Sequence, residues 1–68
     1  MECEVVSHHW KAIVVHVHDS GKYLKFTRAA RDGRWQFKEV KAPYGAVASE
    51  KEKQESLDAI SEFERWLN

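Results

Sequence analysis

Apolar positions repeat along this chain with two different periods, and the change falls near Pro43. Between Trp10 and Val17 the side chains alternate, Ile13, Val15 and Val17 on one face and Ala12, Val14, His16 and His18 on the other, which predicts a β-strand. Asp19-Ser20-Gly21 supplies a short loop with a glycine free to take positive φ. Lys22 to Arg28 is therefore predicted to return antiparallel, with Leu24 and Phe26 on one face. Asp32-Gly33 suits the central positions of a type I′ turn and predicts a second hairpin leading into a third strand, Trp35 to Lys41. There Trp35 and Phe37 share one face and Gln36 and Lys38 the other, until the alternation slips at Glu39-Val40, the place of a bulge or of the end of pairing. Glu2 to Ser7 is either a further strand, turned back at Ser7-His8-His9, or the first part of one long bent strand running into Trp10.

After the connection at 42–48 the period becomes helical. Ser49 followed by Glu52 has the spacing of a capping box, and Glu50 and Glu52 suit the positive end of a helix dipole. Leu57, Ile60, Phe63 and Leu67 then form an apolar stripe, flanked by Ala59 and Trp66, that must cover the sheet. The prediction is one α+β domain over 1–68: a three- to four-stranded antiparallel meander in 1–41, and one C-terminal helix over 49–67 packed on one face of it.

Size and composition then narrow the function. A chain of 68 residues buries only about 60% of its unfolded surface, which leaves little apolar material for a deep cleft. The hydrophobic share of 43% still provides for a folded core. Cys3 is the sole cysteine, so no internal disulfide forms, and Met1-Glu2-Cys3-Glu4 does not read as the start of a secretory signal. No stretch is long and apolar enough for a membrane span. The expectation is a cytoplasmic protein with no membrane contact.

The zero net charge conceals a dipole. Residues 1–48 carry eight Lys/Arg against five Asp/Glu, whereas 49–68 carry three against six. Within 22–41 seven basic residues oppose only Asp32 and Glu39, and Tyr23, Phe26, Trp35 and Phe37 are interleaved with them. With Leu24, Phe26, Trp35 and Phe37 turned to the helix, Lys25, Gln36 and Lys38 share the open face and Arg28, Arg31 and Arg34 ring the second hairpin. Such a surface neutralises phosphates, and these six residues are the candidate nucleic-acid contacts. The structural reason for the same charges is solubility, since Lys and Arg on a solvated sheet discourage edge-to-edge pairing.

Three strands followed by one helix, with a basic hairpin at Asp32-Gly33-Arg34-Trp35, resembles in layout two groups of DNA-binding modules. These are the plant ethylene-response-factor domains and the N-terminal arm-binding domains of tyrosine-recombinase integrases. The resemblance implies a sheet presented to DNA. It transfers no individual residue, and the additional N-terminal strand and the acidic helix depart from both groups.

A protein partner is the second expectation. Glu55, Asp58 and Glu62 on the helix, with Trp10, Tyr44 and Trp66 as apolar anchors, would suit an inhibitor or adaptor of the kind that mobile elements encode. Homodimerisation through the first strand would use the same apolar surplus. His16 and His18 project from one face of a strand and are weak zinc candidates, although no Cys-x-x-Cys or His-Glu-x-x-His supports them. Catalysis finds no constellation: Ser20 and Ser49 read as turn and cap residues, Cys3 sits between two glutamates, and glycines are too scattered for a phosphate loop. No enzyme activity and no cofactor are expected.

Overall fold

A computed structural model describes residues 2–67, so Met1 and Asn68 of the expected 1–68 span lie outside the described residues. Its elements are β1 (Cys3–His9), β2 (Ala12–Val17), β3 (Lys22–Thr27), β4 (Gln36–Ala42) and α1 (Glu50–Leu67). The strands form one antiparallel sheet in the order β1-β2-β3-β4, with α1 against one face, which makes the fold α+β. Alternation in β2 and β3 becomes the core: Ile13, Val15, Val17, Leu24 and Phe26 have no exposed surface, and Ile60 of α1 closes over them with 1%. Burying such side chains contributes about 1.5–3 kcal/mol each, so these few positions dominate the stability of a chain this short.

Residues 3–7 belong to a separate strand, with Glu2 just ahead of it. Their turn lies later than expected, at Trp10-Lys11, because Ser7, His8 and His9 are themselves paired, with Val14, Ile13 and Ala12. Val6 is an extra residue between the paired positions Val5 and Ser7. That bulge reverses the alternation, so Val5 and His8 align with core positions of β2 while Ser7 and His9 align with outer ones.

The slip expected at Glu39-Val40 is a bulge one residue earlier. Lys38 is left over between the pairs Phe26–Phe37 and Lys25–Glu39, and Lys41 between Leu24–Val40 and Tyr23–Ala42. Phe37 and Val40 both therefore turn to the core side, and two exposed lysines bulge from an edge strand, a pattern that blunts pairing with other chains.

The predicted Asp32-Gly33 turn is not formed as such. Gly33 N–H donates to the Ala30 carbonyl at 2.9 Å, which puts Arg31 and Asp32 in the central positions, and Gly33 is not among the residues with positive φ. The whole of 28–35 forms the connection, and Trp35 packs against the core just ahead of β4 instead of inside it. Tertiary packing of Trp35 outweighs the local preference of Asp-Gly for the tighter turn.

The capping box forms as expected: Ser49 N–H donates to Glu52 Oε1 at 2.8 Å and Glu52 N–H to Ser49 Oγ at 3.1 Å. The inward face of α1 is displaced from the expected stripe. Glu52, Ser56 and Ile60 are its buried positions, Leu57 and Phe63 are half-buried, and Leu67 and Trp66 are 55% and 80% exposed. The last turn of the helix thus offers its apolar residues to solvent. Between sheet and helix, residues 43–49 begin with a cis Ala42-Pro43 peptide and bend at Gly45, whose φ is 83°. Ala48 at their end packs on the core. Among the described residues no helix is long and apolar enough to cross a membrane.

Candidate nucleic-acid interface

The uncovered face of the sheet carries the candidate site, and the register of the strands decides which residues share it. Glu4, Ser7 and His9 of β1, Ala12, Val14 and His16 of β2, Tyr23, Lys25 and Thr27 of β3, and Gln36, Glu39 and Ala42 of β4 are paired across it. At one end, where the Trp10-Lys11 turn meets the end of β3, a depression of about 690 Å³ is lined by Lys11, Arg28, Arg34, Gln36 and Lys38 together with small residues of the 28–35 loop. None of its lining residues is acidic.

Four of the six expected contacts are brought together here, but they are not equivalent. Arg34, Gln36 and Lys38 are exposed. Arg28 is taken up in internal contacts: Nε donates to the Trp10 carbonyl, Nη1 lies 3.2 Å from Glu64 Oε2, and the guanidinium stacks 4.2 Å above the Trp35 ring. Only 11% of its side chain is exposed. Arg28 joins the β1–β2 turn, the 28–35 loop and α1, and its charge is largely spent within the fold. Arg31 points elsewhere, lying 5.0 Å over the Trp10 ring beside a second depression that includes His8, Glu64 and Leu67. Lys25 stands in mid-sheet, directly opposite Glu39. Lys11 was not among the expected contacts; its place follows from the pairing of His9 with Ala12, which puts the β1–β2 turn beside the end of β3.

At the other end of the same face three rings form a row. His16 stacks on Tyr23 with centroids 4.5 Å apart and an interplanar angle of 25°, and His18 lies 4.9 Å from His16. His18 Nε2 contacts Glu4 Oε1 at 3.3 Å. The two histidines named as metal candidates are thus neighbours, yet among the described residues no three His, Cys, Asp or Glu groups are placed to hold a metal ion.

Much of the charge separation read from the sequence is consumed between sheet and helix. Lys22 Nζ donates to Glu52 at 3.0 Å and to the Val47 carbonyl at 2.7 Å, and Ser20 Oγ donates to Glu52 at 2.8 Å. These bonds, led by that from the Ser49 N–H, hold the Glu52 carboxyl down to about 2 from an ordinary 4.5. Lys22 and Arg28 are therefore anchors of α1, which leaves Lys11, Arg34, Lys38 and Lys41 as exposed cations around the open face.

The alternative set of residues is scattered. Glu55 and Asp58 line a groove with Glu2 and Cys3. Burial raises the Cys3 thiol's pKa, with the nearby Glu55 charge acting in the same direction and a hydrogen bond with Ser56 opposing them. Glu62 pairs with Arg65 at 3.2 Å. Tyr44 is fully exposed ahead of the helix and Trp66 sits in its last turn, so the helical residues 50–65, roughly 24 Å, separate them. Trp10 is half-buried and covered in part by Arg31.

The fold and this face define a small four-stranded α+β domain with an open, basic-ended sheet. Comparison with protein-family models, with curated proteins and with solved structures gave no match.

Proposed function

We propose that this chain is a small non-enzymatic binding protein that takes nucleic acid on the basic end of its open sheet face. The observation that carries the reading is the depression between the Trp10-Lys11 turn, the 28–35 loop and β4, with Lys11, Arg34 and Lys38 around it and no acidic lining residue. Phosphates are neutralised there by exposed side chains on a scaffold that Arg28 holds in place. Gln36 at the start of β4 supplies the polar group able to bond a base edge.

The test is a fluorescence-anisotropy titration with labelled duplex and single-stranded oligonucleotides at about 50 and 200 mM salt. Binding should weaken steeply with salt, and Arg34→Glu combined with Lys38→Glu should abolish it while leaving the circular-dichroism spectrum unchanged. Absence of binding at protein concentrations on the order of tens of micromolar in low salt would overturn the reading.

A second reading has its own observation. Trp66 is 80% exposed and Leu67 55% exposed beside the depression formed by Trp10, His8 and Arg31. Exposed aromatics of this kind anchor protein interfaces, so an inhibitor or adaptor would dock here, at the end of α1. Trp66→Ser would abolish capture of such a partner and leave nucleic-acid binding intact.

A further inference from the structure

We propose that the ligand of the open face is single-stranded nucleic acid, one of whose bases stacks on Tyr23. The inference rests on the nucleic-acid reading above and adds to it the form of the ligand and the residue that selects it.

The basic depression occupies one end of the open face, and the row His18, His16, Tyr23 occupies the other. From Thr27 at the depression to Tyr23 is four residues of β3, about 13 Å, the reach of a few nucleotides of an extended strand. Tyr23 ends the row on the β4 side. Its partner across the strands is Ala42, whose methyl group is too small to cover the ring, and Tyr23 remains 37% exposed. His16 covers one face of the ring at 4.5 Å and so holds it upright on the sheet. The other face is where a planar group continues the stack. Lys41, bulged and exposed beside Ala42, offers a cation to the phosphate of the stacked nucleotide.

The opposite end of the row excludes the same ligand. Glu4 contacts His18 there, and its carboxylate repels a phosphate, so the row is open to a polyanion only at Tyr23. A base in a duplex has both faces occupied by its neighbours in the stack. Only an unpaired base can use a ring in this way, and such stacking tolerates any base because every base has a π-face.

The experiment uses the whole chain and four probes of equal length: single-stranded RNA, single-stranded DNA and the duplex of each. The wild type should bind single strands at least tenfold more tightly than duplexes. Tyr23→Leu should weaken single-strand binding about tenfold with an unchanged salt slope, because lost stacking releases no counterions, and Tyr23→Phe should restore it. An oligonucleotide carrying 2-aminopurine should lose fluorescence on binding the wild type and keep it with the Leu variant. A preference between the RNA and DNA strands would report a contact to the 2′-hydroxyl and supports the proposal in either case. Duplex binding as tight as single-strand binding, or a Leu variant indistinguishable from the wild type, overturns the inference and leaves the nucleic-acid reading standing. Failure of all four probes overturns both.

Discussion

Lys22 Nζ lies 3.0 Å from Glu52 Oε1, and this contact ties the first residue of β3 to the first turn of α1. Glu52 is 7% exposed, the most buried acidic group among the described residues, and the same carboxylate closes the capping box with Ser49. The cap that starts the helix and the contact that docks it onto the sheet thus share one carboxylate. A carboxylate that accepts three hydrogen bonds inside a protein favours its charged form strongly, which is the physical origin of its low pKa.

Acid sensitivity follows from that pKa. The folded value of about 2 lies below the ordinary 4.5, so the stabilisation is fully present above about pH 4.5 and is lost as pH falls toward 2. The full difference corresponds to about 3 kcal/mol. Urea denaturation of the wild type between pH 7 and pH 2 should show this loss, and Glu52→Gln should lack it. Gln can still accept the Ser49 N–H, so the variant should be about 1–2 kcal/mol less stable at pH 7 and stay helical. Parallel pH dependence in the two proteins would remove Glu52 from this role.

Arg28 is predicted to act on stability rather than on binding. Replacing it with Ala removes the bond to the Trp10 carbonyl, the Glu64 pair and the cover over Trp35 together, at a cost of about 2–4 kcal/mol. Arg28→Lys keeps the charge but loses the planar fork that serves these partners at once. Its melting temperature should fall by roughly 4–8 °C for each kcal/mol lost, while the salt slope of nucleic-acid binding stays that of the wild type. A changed slope with an unchanged melting temperature would mean that Arg28 meets phosphate directly.

Which of these features can be read from sequence depends on how local their causes are. Alternation in Ile13–Val17 and the Ser49–Glu52 spacing are set by neighbouring residues, and both appear in the fold as expected. The Val6 bulge is another matter, because it is chosen by which side of Val5 and His8 meets β2 and α1. Helical period places Leu67 on the apolar stripe but carries no information on where the sheet beneath it ends. Arg28 and Arg34 look alike in the basic run, and only the positions of Glu64, Trp10 and Trp35 separate an anchor from an exposed cation. Of the aromatic row, the shared face of His16 and His18 is legible in the sequence, but the stacking of His16 on Tyr23 escapes for the same reason, because it comes through strand register, which the loop at 18–21 sets.

Glu39 is predicted to restrain binding. It stands opposite Lys25 midway between the basic depression and Tyr23, where it offsets the lysine's charge and repels a passing phosphate. Glu39→Gln removes the repulsion without adding a contact, so affinity for single strands should rise about threefold at ~50 mM salt with no change in salt slope. Glu39→Lys adds a cation as well. Its slope should steepen by about 0.7, the value for one further phosphate on a single strand, and affinity at low salt should rise about tenfold. Lys directly opposite Lys25 should lower stability by about 0.2–1 kcal/mol, which a melting curve would register. Glu62→Lys makes the same change of net charge on an exposed turn of the helix, away from the open face, and serves as the control. If it strengthens binding as much as Glu39→Lys does, the effect belongs to the overall charge of the molecule and not to the sheet. A rise confined to Glu39 places the strand across β3 and β4, between Lys38 and Tyr23.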